Sequence, residues 1–186
     1  KETFNHLISP VQEYCSINNF KLVQIKKHES SACSFVLQLD NNTFLQLDFC
    51  HDYLRNRRLY FKAQPLLNNK ILPVSEPSFY VLVNHYEFVY YITKKIDKNQ
   101  IDPHQFNHLL SCWKIDKVQI LLLLNSYFSK ESLQIINGIF DHNDFNLLTE
   151  KMNYLRSDLF SKKKIRFKHQ ILEVFRLIGK AYNPPG

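Results

Sequence analysis

The stretch Phe35-Val-Leu-Gln-Leu-Asp-Asn-Asn-Thr-Phe-Leu-Gln-Leu-Asp-Phe-Cys50 contains two alternating apolar runs joined by Asn41-Asn42. Alternation with a period of two is typical of β-strands, and asparagine tolerates the left-handed backbone that a two-residue hairpin turn requires. The stretch therefore predicts a β-hairpin. The predicted register pairs Asp40 with Thr43, Leu39 with Phe44, Leu37 with Gln46 and Phe35 with Asp48.

Asp48 is the unusual residue of this hairpin. In the predicted register it shares a sheet face with Phe35, Leu37 and Leu39, because side chains directly opposite each other lie on the same face. Aspartate is depleted from strand interiors, so the position indicates either a chemical role or exposure at the rim of a half-solvated sheet. For the chemical role, we expect Asp48 in a central strand, with its carboxylate in a cleft between the sheet and the helical half.

The order of patterns in the first half of the chain predicts an α+β fold with a small mixed or antiparallel sheet and flanking helices. We expect this sheet to contain at least four strands. In chain order the predicted elements are a helix over residues 2–18, a strand over 20–27, the hairpin, and a strand over 58–62.

The second half of the chain shows only helical patterns, which predict an all-α helical bundle. A polar segment that ends in Asp102-Pro103 separates it from the first half, so the predicted subdomains are residues 1–100 and 101–186. The predicted helices of the second half cover residues 103–112, 116–128, 129–140, 143–160 and 164–182.

Composition limits the classes of function. The chain has 186 residues, of which 45% are hydrophobic and 22% charged, and its strongest apolar run, residues 120–124, is too short to span a membrane. The first residues show no cleavage-site pattern, so we expect a cytoplasmic protein with no membrane partner. The net charge of +7 lies mostly in residues 162–168 and in smaller clusters, a distribution that disfavours specific nucleic-acid binding.

The cysteines and glycines form no recognised binding motif. No CxxC or CxxH spacing is present, which favours reduced, buried thiols over a zinc site or a disulfide framework. The three glycines build no phosphate-binding loop. The four cysteines are Cys15, Cys33, Cys50 and Cys112.

Two histidines have the spacing of a metal clamp. His104 and His108 are separated by four residues, which places both on one face of a helix. Gln105 occupies the position at which a catalytic HExxH motif has glutamate, and no third ligand lies nearby in sequence. Both observations argue against a metal site formed by this pair.

Five stretches considered together resemble a known family. They are residues 20–28, 44–49 (Phe-Leu-Gln-Leu-Asp-Phe), 58–61, 77–88 and 179–186. The combination resembles nucleotidyltransferase-fold proteins, in the branch that precedes a thymidylate-kinase-like domain in bacterial polysaccharide and nucleotide-metabolism proteins. The resemblance implies a truncated nucleotidyltransferase-like fold that binds a nucleotide or substrate within a larger transferase.

The resemblance also implies a role for Asp48. Proteins of this fold hold two Mg²⁺ ions with an Asp-x-Asp pair and a third carboxylate on a neighbouring strand, and Asp48 matches the third carboxylate. The chain contains no Asp-x-Asp, and one carboxylate cannot hold two ions, so we expect no catalysis by this chain. Independently of the resemblance, the basic residues Arg55, Arg57 and Arg58 are predicted to attract phosphate.

Two functions remain open at this stage. The first is a non-catalytic, nucleotide- or substrate-binding region of a nucleotidyltransferase or nucleotide kinase. The second is a scaffold or interaction module without ligand chemistry, whose helical half makes subunit contacts in a homo-oligomer.

Overall fold

The structure, a computed structural model, describes residues 4–27, 32–40, 42–55, 58–73 and 80–163. These residues form a mixed α+β protein, as predicted. The chain divides into two compact units, one formed by Lys1–Ala63 and Ile165–Gly186 and the other by Gln64–Lys164. The boundary predicted at residue 100 falls inside the second unit, between two helices that pack on each other.

In the first unit, the described residues form one α-helix packed on an antiparallel sheet and a separate hairpin. The three-stranded sheet has the order β1-β2-β3, and β4 pairs with β5. The elements are a 3₁₀ turn Asn5–Leu7, α1 Ile8–Ile17, β1 Lys21–Lys27, β2 Ala32–Gln38, β3 Phe44–Cys50, β4 Tyr53–Arg55, β5 Arg58–Phe61 and, at the unit boundary, α2 Ala63–Asn68.

The prediction of one sheet with at least four strands is wrong for the described residues. The chain bends at His51 and Asp52 after β3, and β4 then pairs with β5 instead of extending the sheet. Asp52 stabilises this geometry, because its Oδ1 accepts a hydrogen bond of 2.7 Å from the backbone N–H of Ala63, the first residue of α2.

The core of the first unit lies between α1 and β2. Val11 and Cys15 on α1 are four residues apart and lie on one helix face, and Cys33, Phe35 and Leu37 alternate along β2. Phe35 and Leu37 have no exposed surface. Burial of a large apolar side chain stabilises a fold by roughly 1.5–3 kcal/mol, so this contact fixes which face of the sheet points inward.

The hairpin of β2 and β3 is confirmed, but its register differs by one residue from the predicted one. Phe35 lies opposite Leu47, and Ser34 lies opposite Asp48. Because side chains alternate between the two faces of a strand, a shift of one residue transfers every side chain to the other face. Asp48 therefore shares its face with Ser34 and not with Phe35.

The hydrogen bonds at the hairpin loop accommodate this register. The backbone N–H of Leu39 donates to the carbonyl oxygen of Thr43 over 2.9 Å, so this pair closes the hairpin. Asp40 Oδ1 accepts hydrogen bonds from the backbone N–H groups of Asn42 (3.0 Å) and Thr43 (2.8 Å), and these bonds, with Asn42 first, lower the pKa of Asp40. The aspartate before the two asparagines is thus part of the turn.

The second unit is mainly helical. A two-residue strand pair, β6 with β7, precedes four helices of which α3 packs on α4 and α6, and α5 packs on α4 and α6. The elements are β6 Lys70–Ile71, β7 Val81–Leu82, α3 Asn84–Lys98, α4 Pro103–Leu124, α5 Lys130–Asp141 and α6 Phe145–Lys162.

The predicted helices 103–112 and 116–128 are joined in α4. Asp116 has non-helical dihedral angles (φ −141°, ψ 37°), so the helix is interrupted close to the predicted gap. The predicted helix over 164–182 lies outside the described residues. Among the residues that are described, none of the helices combines the length and the apolar character that a membrane crossing requires.

Polar side chains define where the helices begin and end. Asp102 and Gln105 form a reciprocal capping box at the start of α4, and Ser129 and Asp144 cap α5 and α6 by accepting backbone N–H groups. Asn99 ends α3 in the left-handed conformation (φ 53°), which asparagine adopts at lower cost than most residues. These local signals keep the α3–α4 connection short.

Four aromatic residues form the centre of the second unit. The ring centroids of Phe88 and Trp113 are 5.4 Å apart, and Phe140 lies 4.9 Å from Phe88 and 5.1 Å from Phe106. The indole N–H of Trp113 donates to Asp141 over 3.1 Å, so its polar atom is satisfied. The cluster joins α3, α4 and α5.

The observed register can be tested by two phenylalanine substitutions in the hairpin. Phe35→Ala creates a cavity in the α1–β2 core, and we expect it to lower the free energy of unfolding by about 3–5 kcal/mol. Phe44→Ala removes a side chain that is 57% exposed, and a change within about 0.5 kcal/mol is expected. Urea titration followed by circular dichroism measures both, and equal losses would contradict the register.

Candidate functional site

Asp48 lies on β3, and in the described part of the chain β3 pairs only with β2. The side chain is exposed, and its Oδ1 accepts hydrogen bonds from Ser34 Oγ (2.6 Å) and Gln46 Nε2 (2.8 Å). The prediction that Asp48 occupies a central strand is wrong, because β2 is the central strand of this sheet. The one-residue register shift places the carboxylate on the face opposite to the α1 core.

The predicted Mg²⁺ site at Asp48 would need further oxygen ligands near that carboxylate. Mg²⁺ requires octahedral oxygen coordination and is usually held in proteins by one or two carboxylates together with phosphates and water. Among the described residues, Asp48 belongs to no group of three or more histidine, cysteine or acidic side chains close enough to share an ion. Its role as a Mg²⁺ ligand stays a prediction.

The predicted phosphate-binding arginines lie around the second hairpin. Arg55 and Arg58 are directly opposite each other at the end of the β4–β5 pair, and both are partly exposed. Directly opposite side chains lie on the same face, which concentrates positive charge there. Arg57 lies outside the described residues, and phosphate binding by these arginines stays a prediction.

An open cleft of about 430 Å³ lies beside the end of β3. This volume falls within the range of small-molecule sites. No local sequence pattern predicts the cleft, because about forty residues of chain separate its two walls. The lining residues are Phe4, His6, Leu7, Phe49, Cys50 and His51.

The polar wall of the cleft is held by the bend after β3. Cys50 Sγ lies 3.0 Å from the carbonyl oxygen of Asp52, and His51 Nδ1 lies 3.4 Å from Asp52 Oδ1. The carboxylate that orients His51 also accepts the backbone N–H of Ala63, so the start of α2 fixes its position. His51 itself stays largely exposed, with 61% of its side chain accessible.

A second cluster of chemically active side chains lies between α3 and α4. Glu87, His108 and Cys112 each offer one potential ligand atom, and these atoms all lie within 4.8 Å of one another. His108 Nε2 is 2.9 Å from Glu87 Oε1. Sequence spacing pairs His108 with His104, whereas the structure places His108 beside Cys112 on the same helix and Glu87 on the preceding helix.

The Cys112 thiol is held in its neutral form. Burial and, to a smaller extent, the negative charge of Glu87 raise the pKa of Cys112 to about 11. The thiolate is therefore scarce at neutral pH.

A second histidine–carboxylate pair lies further along the same helix interface. His85 Nδ1 and Asp116 Oδ2 form a short contact, and Asp116 is the residue at which α4 is interrupted. Both side chains are partly buried. Asp116 is therefore already engaged by a partner on α3.

Comparison of the chain with protein-family models, curated proteins and solved structures gives no match. The resemblance to nucleotidyltransferase-fold proteins therefore stays a prediction from sequence. The candidate sites must be judged by their own chemistry.

The cysteines provide a test of burial and of the Cys112 environment. None of the four cysteines forms a disulfide, and the prediction of a buried thiol is wrong for Cys50, which is exposed. We expect one thiol to react rapidly with iodoacetamide at pH 7.5 in the folded protein and four to react after denaturation without reductant. Mass spectrometry after digestion identifies the sites, and rapid labelling of Cys112 would contradict the described environment.

The pH dependence of Cys112 labelling follows from its raised pKa. Labelling at this site should increase as the pH rises toward about 11. Glu87→Gln removes a negative charge that disfavours the thiolate, so it should increase the labelling rate at any pH below that value. His104→Ala, on the exposed start of α4, is the matched control and should leave the rate unchanged.

Proposed function

We propose that the chain is a non-catalytic binding region with a truncated nucleotidyltransferase-like first half followed by a helical bundle, as the sequence resemblance implies. The observation that supports binding is the cleft beside the end of β3. Its ligand in this proposal is a nucleotide or a molecule of similar size.

The lining of the cleft suits an aromatic ligand with polar substituents. Phe4 and Phe49 provide apolar ring surface, and the imidazoles of His6 and His51 provide hydrogen-bonding atoms. Pockets for small molecules combine mostly apolar walls with a few polar groups that set orientation. The net charge of +7 favours an anionic ligand such as a nucleotide over a neutral one.

The non-catalytic part of the proposal is supported by the environment of Asp48. Its Oδ1 is occupied by hydrogen bonds from Ser34 and Gln46, and Asp48 precedes the cleft-lining part of β3 without itself lining the cleft. A single carboxylate leaves Mg²⁺ mostly coordinated by water. Binding in this proposal therefore does not depend on Mg²⁺, and no nucleotidyl group is transferred.

Calorimetry with ATP and AMP, with and without Mg²⁺, tests the proposal. We expect weak binding that is unchanged by Mg²⁺ and is reduced about 3- to 10-fold in His51→Ala, the loss of one hydrogen bond. His104→Ala, an exposed histidine in the other unit, and Asp48→Asn should both leave binding unchanged. Micromolar, Mg²⁺-dependent binding that disappears in Asp48→Asn would overturn the proposal and show a working metal site.

A second candidate function, an interaction module, is favoured by an apolar stripe on α4. Val118 and Leu122 lie four residues apart on one helix face after the interruption at Asp116, and Ile115 immediately precedes the interruption; the three side chains are 68%, 65% and 68% exposed, respectively. Such a stripe on one helix can pair with itself across a two-fold axis, so the proposed partner is a second copy of the chain. Three side chains bury much less than the roughly 800 Å² per partner of a stable interface, which implies a weak dimer.

Sedimentation velocity over a range of protein concentrations tests the dimer. We expect a concentration-dependent monomer–dimer equilibrium that Val118→Asp abolishes, because a charge at the interface core is costly to bury. Ile17→Asp, at a position 73% exposed on α1, is the matched control and should leave the equilibrium unchanged. A chain that remains monomeric at all concentrations would eliminate the interaction-module candidate.

A further inference from the structure

Glu87, His108 and Cys112 bring three different donor types together at the α3–α4 interface. We infer that these three side chains form a binding site for a Zn²⁺ ion. This inference goes beyond the proposed function, since the site lies in the second unit and uses none of the cleft residues.

The chemical types of the three ligand atoms determine which metal ion this cluster can bind. Zn²⁺ is bound in proteins by cysteine sulfur, histidine nitrogen and carboxylate oxygen in tetrahedral geometry. Mg²⁺ and Ca²⁺ take oxygen ligands almost exclusively, so a thiol and an imidazole in the same site disfavour both ions. A set of three such donors within 4.8 Å of one another matches a zinc ion better than a hard cation.

The packing of the two helices holds the donors in place. Glu87 precedes Phe88 and Cys112 precedes Trp113, and the rings of Phe88 and Trp113 contact each other at a centroid distance of 5.4 Å in the core. His108 is positioned by the ring of Tyr91, whose edge-to-face contact has a centroid distance of 5.9 Å. The backbone that bears the ligands is thus fixed by buried side chains.

The site is accessible from solvent on one side. The Glu87 and His108 side chains are 34% and 46% exposed, whereas Cys112 lies at the buried end of the cluster. An ion can therefore reach the carboxylate and imidazole first and the sulfur last. Asp116, one turn beyond Cys112 on α4, is paired with His85 and is not required as a ligand.

Binding of Zn²⁺ forms three bonds to the protein and releases one proton, without oxidation or reduction. The Cys112 S–H bond breaks, its proton passes to the solvent, and the sulfur forms a bond to Zn²⁺. The hydrogen bond between His108 Nε2 and Glu87 is lost. The Nε2 proton moves to Nδ1 by exchange with solvent, so the neutral imidazole and the carboxylate each form one bond to the ion. Three protein ligands leave the fourth tetrahedral position to water.

Titration of the reduced, metal-free full chain with Zn²⁺ tests the site. We expect one ion per chain at this cluster, with affinity lowered more than about 10-fold in each of Glu87→Gln, His108→Ala and Cys112→Ser. Co²⁺, which takes the same ligands, serves as a spectroscopic probe, and its thiolate-to-metal absorption should vanish in Cys112→Ser. His104→Ala, four residues before His108 on α4, is the matched control and should bind like the original chain.

The results of the Zn²⁺ titration can be distinguished from those expected for nucleotide binding in the cleft. Loss of Zn²⁺ binding in His51→Ala with retention in His108→Ala would assign the ion to the first unit and overturn the inference, as would absence of binding in the original chain. If Cys112→Ser fails to fold by circular dichroism, the partly exposed Glu87 and His108 positions decide the result. If the Zn²⁺ affinity is unchanged in both Glu87→Gln and His108→Ala, these two side chains form only a histidine–carboxylate pair at the surface. That result would overturn the inferred zinc site.

Discussion

The burial of Phe35 and Leu37 of β2 against α1 is the constraint on which the first unit depends. Each side chain has no exposed surface, and burying two such groups outweighs the difference between two turn geometries. The hairpin therefore adopts the register that places Leu47 and Phe49 beside them. The position of Asp48 on the other face is a consequence of this packing.

The second unit depends on a comparable contact between α3 and α4. Phe88 and Trp113 join the two helices, and the residues next to them, Glu87 and Cys112, are thereby brought together. Packing of the apolar core thus determines the positions of the polar side chains at its edge. His108 completes the cluster because it lies one helical turn before Cys112.

Both candidate sites are formed by residues that are distant in sequence. Cysteine spacing argued against zinc, but that rule describes ligands that are close together in one segment. Glu87 and His108 are 21 residues apart and meet only because two helices pack in antiparallel order. The cleft is similar, since Phe4 and His51 meet only where the first turn lies beside the end of β3.

The sequence by itself determined the elements whose signals are local. Alternation predicted β2 and β3, and helical patterns predicted most of α4, α5 and α6. Tertiary structure decided the hairpin register, the pairing of β4 with β5, and the residues that surround Asp48. The physical reason is that a one-residue shift changes little in local hydrogen bonding, whereas it exchanges the buried and exposed faces of the whole strand.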